Sequence, residues 1–361
     1  MTGVSSLRTL QTLLASRSLP EEPYLDVARR YPFRVSRHIL GLLRQPDDPL
    51  WRQVVPDPRE LKDTEGWEDP LAEEALSPVP HLVHRYPDRV LWLVSHECSM
   101  LCRFCTRKRL WGNQRPMTPE ELQAGLNYLS EHREVRDVLL SGGDPLMLPA
   151  ERLGMILSSL RKIPHVEIIR IGTRVPVAAP HRVTHSLARL LARHHPLYVN
   201  IHFNHPMEIT AEAAKACTRL ADAGIPLGSQ TVLLKDVNDD AGVLADLFKS
   251  LLRIRVRPYY LLQMDLVRST AHFRTPISTG LEIVRTLRNH ISGLAVPQLV
   301  LDLPGGHGKI PLVPRYVERL EEDRLELTDF RNRSCVYPLL PGESEELATW
   351  LDGEAVGRRL P

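Results

Sequence analysis

Cysteine and lysine are scarce in this chain of 361 residues. Five cysteines are present, and an odd number with three of them inside eight residues (Cys98, Cys102 and Cys105) does not make a disulfide framework. It points to one metal or cluster site in a reducing cytoplasm. No run of about 18 apolar residues occurs, so no helical membrane span is expected. The N-terminal stretch MTGVSSLRTLQTLLASRSLPEEP lacks the charged start, apolar stretch and cleavage site of a secretory signal. Excess charge is also missing: a net +2 gives no reason to expect nucleic acid. Only 7 of the 46 basic residues are lysines. That bias fits base composition or heat adaptation equally, and it makes each lysine easy to inspect. With 43% apolar and 25% charged residues, the chain has an ordinary globular composition, enough for one large domain or two smaller ones.

From Arg89 onward, short apolar or β-branched runs alternate with stretches of helical period. The runs are RVLWLV (89–94), VRDVLL (135–140), VEIIRIG (166–172), LYVNIHF (197–203), PLGSQTVLL (226–234), RPYYLLQM (257–264) and LVLDL (299–303). Thr118-Pro119-Glu120-Glu121 reads as a capping box with proline at the first helical position. One β-α unit per roughly 30 residues, repeated six times with a final strand, predicts an α/β chain. It forms either a parallel barrel or a doubly wound sheet. In both, chemistry gathers at the C-terminal ends of the strands. Before Arg89, LRTLQTLLAS and VSRHILGLLR have helical spacing, and Gln45 to Pro80 reads as an irregular connection.

The first strand of the series runs into His96-Glu97-Cys98-Ser99-Met100-Leu101-Cys102-Arg103-Phe104-Cys105. Three thiolates on one tight loop can hold three irons of a cubane cluster and leave the fourth open. Structural zinc wants four ligands, usually paired C-x-x-C units, and no second pair exists here. With Phe104 before the last cysteine, the motif resembles the radical S-adenosylmethionine superfamily, which implies a partial six-unit barrel. Ser141-Gly142-Gly143-Asp144 ends the second run. Its small residues are expected to leave backbone N–H groups exposed to a ligand, and the resemblance implies that this place binds the cofactor's methionine moiety.

Two further segments narrow the family. Lys309 follows the glycine-rich turn Pro304-Gly305-Gly306-His307-Gly308, where a lysine can form a Schiff base with pyridoxal phosphate. His84-Arg85-Tyr86-Pro87-Asp88-Arg89 carries two arginines around a turn, which suits a phosphate. Together with VRDVLLSGGDPL, NIHFNHPMEIT, IRVRPYYLLQMDL and AHFRTP, these resemble the lysine 2,3-aminomutase family over most of the chain.

The resemblance implies a 4Fe-4S cluster on Cys98, Cys102 and Cys105, S-adenosylmethionine and pyridoxal phosphate. It implies Lys309 as the pyridoxal lysine and Arg85 and Arg89 as phosphate contacts. Phe104, Ser141, Gly142, Gly143, Asp144, His202 and Gln230 would lie near S-adenosylmethionine. Arg107 would take the substrate α-carboxylate, and Asp265 and Asp302 its distal ammonium. Two buried carboxylates without a cation would cost about 2–5 kcal/mol or more. Lysine therefore fits, arginine and ornithine compete, and glutamate is rejected.

The expected partition is a helical region and linker over 1–80, the partial barrel over 81–305, and a C-terminal segment over 306–361 carrying Lys309. A flavodoxin or ferredoxin reductant and a homo-oligomer are also expected. Clostridial-type relatives carry C-terminal cysteines for structural zinc. Here only Cys335 lies in that region and Asp240 stands in place of the upstream cysteine, so no such zinc is expected. Shorter relatives that modify lysine for elongation factor P are the alternative within the family. An iron–sulfur electron carrier without turnover is the alternative outside it.

Overall fold

Every run of the alternating series becomes a strand in the computed structural model, which describes residues 3, 4, 7–112, 115–329 and 333–351. The strands are β2 (Arg89–Ser95), β3 (Asp137–Gly142), β4 (Ile168–Thr173), β5 (Leu197–His202), β6 (Leu227–Leu233), β7 (Arg257–Gln263) and β8 (Gln298–Leu303). All are parallel to their neighbours in this series, in sequence order. Six helices join them: α1 (Pro119–Glu131), α2 (Ala150–Leu160), α3 (His185–Ala192), α4 (Ala211–Asp222), α5 (Ala241–Arg253) and α6 (Ile277–His290). The capping box of α1 forms as its sequence predicts. Thr184, Thr210 and Asp240 cap α3, α4 and α5 through their side chains. Asp240 thus serves as a helix cap, accepting the Val243 N–H at 2.9 Å.

Two edge strands escape the sequence pattern. Antiparallel β1 (Leu82–Tyr86) pairs with β2, and antiparallel β9 (Gly308–Pro311) pairs with β8, completing a sheet of nine strands. The arginine-flanked turn is therefore a hairpin, with Arg85 on β1 and Arg89 opening β2. The sheet ends approach one another through side chains. Tyr86 Oη accepts the Lys309 backbone N–H at 2.9 Å, and Arg85 Nη1 donates to Asp302 at 2.9 Å. Gly308, at φ +94°, brings its Cα against the Tyr86 ring; a Cβ there would sit 3.2 Å from it. The result is a nearly closed barrel, the partial six-unit barrel expected from the sequence, not a doubly wound sheet.

Alternation along the strands divides its two faces. Val90, Trp92, Val138, Leu140, Ile169, Ile171, Val199 and Ile201 face the helices in one continuous core. Leu91, Leu139, Ser141, Arg170, Gln230, Leu262 and Asp302 line a central cavity of about 590 Å³.

The segment from Gln45 to Pro80 is less irregular than its composition predicts. It contains helices Pro49–Val54 and Arg59–Lys62. Asp48, which reads as a loop residue, is an N-cap that accepts the Trp51 N–H at 2.6 Å, and Pro49 opens the helix. Beyond the barrel lie three antiparallel strands, Val317–Leu320, Arg324–Thr328 and Ser334–Pro338, and the helix Glu343–Leu351. No described helix is long and apolar enough to cross a membrane.

Candidate active site

The cysteine loop leaves the C-terminal end of β2. The Cys105 N–H donates to the Cys102 carbonyl at 2.9 Å, and the Arg107 N–H donates to Cys105 Sγ at 3.4 Å. Burial pushes the Cys98 thiol well up, with help from Asp144 and the other two thiols. Burial and then Cys102 push Cys105 up to about 11. Cys102 is thus close enough to Cys98 and Cys105 to oppose the ionisation of both. Among the described residues, no three His, Cys, Asp or Glu converge on one mononuclear metal point. A cubane cluster needs a wider set of sulfurs, and it compensates thiolates that burial alone would keep protonated. The donor set therefore fits the cluster, with Arg174 Nη1 donating to Cys102 Sγ at 2.7 Å.

The loop after β3 corrects one expectation. The Gly143 and Asp144 N–H groups are not open to a ligand: they donate to the Ser95 and Glu97 carbonyls, each at 2.7 Å. The glycines are needed for that approach. Gly142 has φ +121°, and a Cβ there would lie 2.2 Å from the Ser95 oxygen. Asp144 is also committed, accepting from Thr173 Oγ1 at 2.7 Å, Arg174 N at 2.7 Å and Leu146 N at 3.0 Å. The bonds to Ser95 and Glu97 fasten the β3 loop to the start of the cysteine loop, and the Gly142 carbonyl accepts from Arg107 Nη1 at 3.3 Å.

Phe104 is buried against the edge of His202, with ring centroids 5.5 Å apart, and against Phe273 at 6.0 Å. His202 Nε2 lies 3.0 Å from Asn204 Oδ1. Burial, then the nearby Arg174 charge, lower the imidazole to about 3, so it is neutral. Gln230, Ser141, Arg85, Arg89, Arg107, Asp302 and Lys309 share the lining of the central cavity.

Lys309 reaches that cavity through register. It stands directly opposite Asp302 in the β8–β9 hairpin, so both side chains emerge on one face. Lys309 Nζ donates to Asp302 Oδ2, and Arg85 pairs with the other oxygen. Arg85, expected at a phosphate, thus also holds Asp302 and the Leu71 carbonyl. Arg89 packs over the Tyr86 ring at 3.9 Å and pairs with Asp88 at 2.8 Å. Asp265, just past β7, is raised to about 7 by burial and then by Asp302, against the opposing influence of Lys309 and Arg85. An amine facing a cavity, with arginines and tyrosines on the same wall, fits a flat phosphorylated aldehyde such as pyridoxal phosphate.

Three features of the site were not read from the sequence. Glu73 grips Arg107 bidentately, at 2.9 Å to Nε and 2.6 Å to Nη2. Arg174 also pairs with Glu208 at 2.6 Å and with Gln53 at 2.5 Å. Glu60 holds Arg103 and Lys108 in a triad with almost no exposure, each contact 2.6 Å. Arg103 and Lys108 lie inside or just after the cysteine motif, a signal that could have marked them. Glu60 and Glu73 sit in an acidic stretch that resembles solvated surface.

Residues 92–248 match the Radical SAM superfamily, and residues 284–348 match the family described as Lysine-2,3-aminomutase. L-lysine 2,3-aminomutase of Clostridium subterminale is 45% identical over 338 residues, covering 92% of this chain and 81% of the relative. The enzyme of that name from Methanococcus maripaludis is 49% identical, covering 80% and 67%. Glutamate 2,3-aminomutase of Clostridioides difficile is 41% identical, covering 87% and 75%. Among solved structures, a radical SAM methyltransferase from Sphaerobacter thermophilus is 16% identical, with a TM-score of 0.46 over 82% of this chain and 94% of that one. On the family models and the curated relatives, the chain belongs to the lysine 2,3-aminomutase family of radical S-adenosylmethionine enzymes, isomerases whose chemistry uses a 4Fe-4S cluster, S-adenosylmethionine and pyridoxal phosphate.

Proposed function

We propose that this enzyme converts L-lysine to β-lysine by moving the α-amino group to the β-carbon. One observation carries the choice of substrate: Asp302 stands opposite Lys309 on the wall of a cavity that Arg107 also lines, and the buried Asp265 is close enough for the two carboxylates to oppose each other's charge. Identity alone does not choose, since a relative named for glutamate is 41% identical. Charge does. A distal ammonium satisfies the two carboxylates, whereas a distal carboxylate would meet two like charges.

Cys98, Cys102 and Cys105 would hold the cluster, and Phe104, Ser141, Gly142, Gly143, Asp144, His202 and Gln230 would surround S-adenosylmethionine. Lys309 would hold pyridoxal phosphate, with Arg85 and Arg89 at its phosphate. Bound there, these groups would supply a carbon radical that abstracts hydrogen and a π-bond that lets the nitrogen pass from the α- to the β-carbon. Arg107 grips the substrate carboxylate, and Asp265 and Asp302 fix its far end. Fixing both ends sets the β-carbon in one position for hydrogen removal and return. A Lys309 amine engaged by pyridoxal phosphate would no longer pair with Asp302 Oδ2, which would leave that oxygen for the substrate ammonium while Arg85 keeps the other. A low-potential carrier such as flavodoxin or ferredoxin would deliver the electron in a reducing cytoplasm. The active form would be a homo-oligomer, supported by the exposed Val336, Tyr337 and Leu340 beyond the barrel.

The test is anaerobic reconstitution with iron, sulfide, pyridoxal phosphate and S-adenosylmethionine, followed by separate incubation with lysine, ornithine, arginine and glutamate. β-Lysine is the expected main product, and glutamate should be unchanged. Lys309→Ala should lose both the imine absorbance and the product. Turnover of glutamate, or cleavage of S-adenosylmethionine without any β-amino product, would overturn the proposal.

A further inference from the structure

Glu73 has no part in the reaction as described, yet it is 3% exposed and bound to the arginine assigned to the substrate. Its two oxygens take the Nε and Nη2 protons of Arg107, and Nη1 donates to the Gly142 carbonyl at 3.3 Å. A guanidinium has five N–H groups. Two go to Glu73 and one to Gly142, which leaves one each on Nη1 and Nη2. That pair suits a second, bidentate carboxylate.

The segment carrying Glu73 is itself fastened. The Pro70 carbonyl accepts from Gly305 N at 2.8 Å, the Leu71 carbonyl accepts from Arg85 at 2.9 Å, and Ser77 Oγ donates to the Glu73 carbonyl at 2.6 Å. Glu73 and Arg107 both line the central cavity and a neighbouring one of about 380 Å³, so the pair forms a shared wall. Among the described residues the other ion pair of Glu73 is the longer one to Arg109, at 4.0 Å, so a Glu73 that left Arg107 would exchange two short hydrogen bonds for one distant contact while staying buried. The pair therefore persists when substrate arrives.

We infer that Glu73 is a positioning residue: its carboxylate stays on Arg107 and turns the unused N–H groups of the guanidinium toward the substrate α-carboxylate. This rests on the proposed role of Arg107. It also gives Arg107 a selective character. With Glu73 in place, the local charge is already balanced, so the substrate carboxylate is recognised by hydrogen-bond geometry more than by net attraction.

The test uses the reconstituted holoenzyme without S-adenosylmethionine and measures binding of L-lysine and of 1,5-diaminopentane, which lacks the carboxylate. Glu73→Gln should weaken lysine at least tenfold and leave the diamine within twofold. Glu73→Asp should recover part of the lysine affinity, and unchanged diamine binding reports an intact fold. Wild-type or tighter lysine binding by Glu73→Gln would overturn the inference, as would equal weakening of both ligands. Arg107→Ala separates the two levels. If it weakens both ligands alike, the role of Arg107 falls; if it weakens lysine alone while Glu73→Gln changes nothing, only the inference about Glu73 falls.

Discussion

At the scale of residues, Asp265 sets an expected pH dependence. Its carboxyl is raised to about 7 by burial and by Asp302. Below the usual carboxylate range both folded and unfolded forms are protonated, and Asp265 has no effect on stability. As pH rises toward 7 the unfolded form loses its proton first, so Asp265 destabilises the fold progressively. A bound ammonium reverses this by favouring the ionised form. Lysine affinity should therefore weaken as pH falls below about 7, by up to about tenfold per pH unit while one proton is taken up on release of ligand. Calorimetric titration from pH 8 to 6 checks this, and Asp265→Asn should flatten the profile. Asp265 and Asp302 were legible because each interrupts or ends an apolar strand, where a charge is conspicuous. Glu73 was not, because the same acidic residue in a Pro- and Glu-rich connection looks solvated until folding buries it.

The elements around the cysteine loop show what the first 80 residues contribute. Helix Arg59–Lys62 delivers Glu60 to Arg103 and Lys108, which flank Phe104, Cys105 and Arg107. Lys108 also donates to the Ser269 carbonyl at 3.0 Å, tying the loop to the segment after β7. Burial pushes the Glu60 carboxyl up, but Arg103 and Lys108 outweigh it and hold it below its usual range. Its stabilisation is therefore present above that range and is lost as pH falls through the lowered value. Glu60→Gln strands two buried cations and should cost about 3–5 kcal/mol, read by chemical denaturation. The variant should also lose cluster occupancy on reconstitution, since the triad shapes the cysteine loop. The seven parallel strands and six helices were legible from periodicity alone. The edge strands were not. β9 is four residues long, begins with glycine and carries little alternation, and β1 is five residues before a turn. Sheet pairing, a long-range event, decides such short segments.

On the scale of the whole molecule, the described residues beyond the barrel bury little. Every residue of Ser334–Pro338 is exposed, with Tyr337 at 60%, and Leu340 just beyond it is at 72%. Three strands in isolation do not stabilise themselves without an apolar face to cover. The solution mass should accordingly be a multiple of 41.0 kDa, and Tyr337→Lys with Val336→Glu should shift it toward the monomer in light scattering. A monomer unchanged in activity and stability would remove the argument for assembly.

The junction between β1 and β9 has a mechanical meaning. Elsewhere around the wall, a gap could open only by tearing a ladder of peptide bonds' hydrogen bonds. Here the named links between the margins are one phenol-to-amide bond and one guanidinium–carboxylate pair. Separation of the margins at this place leaves the ladders on either side whole, so the barrel wall yields beside Lys309 without loss of sheet pairing.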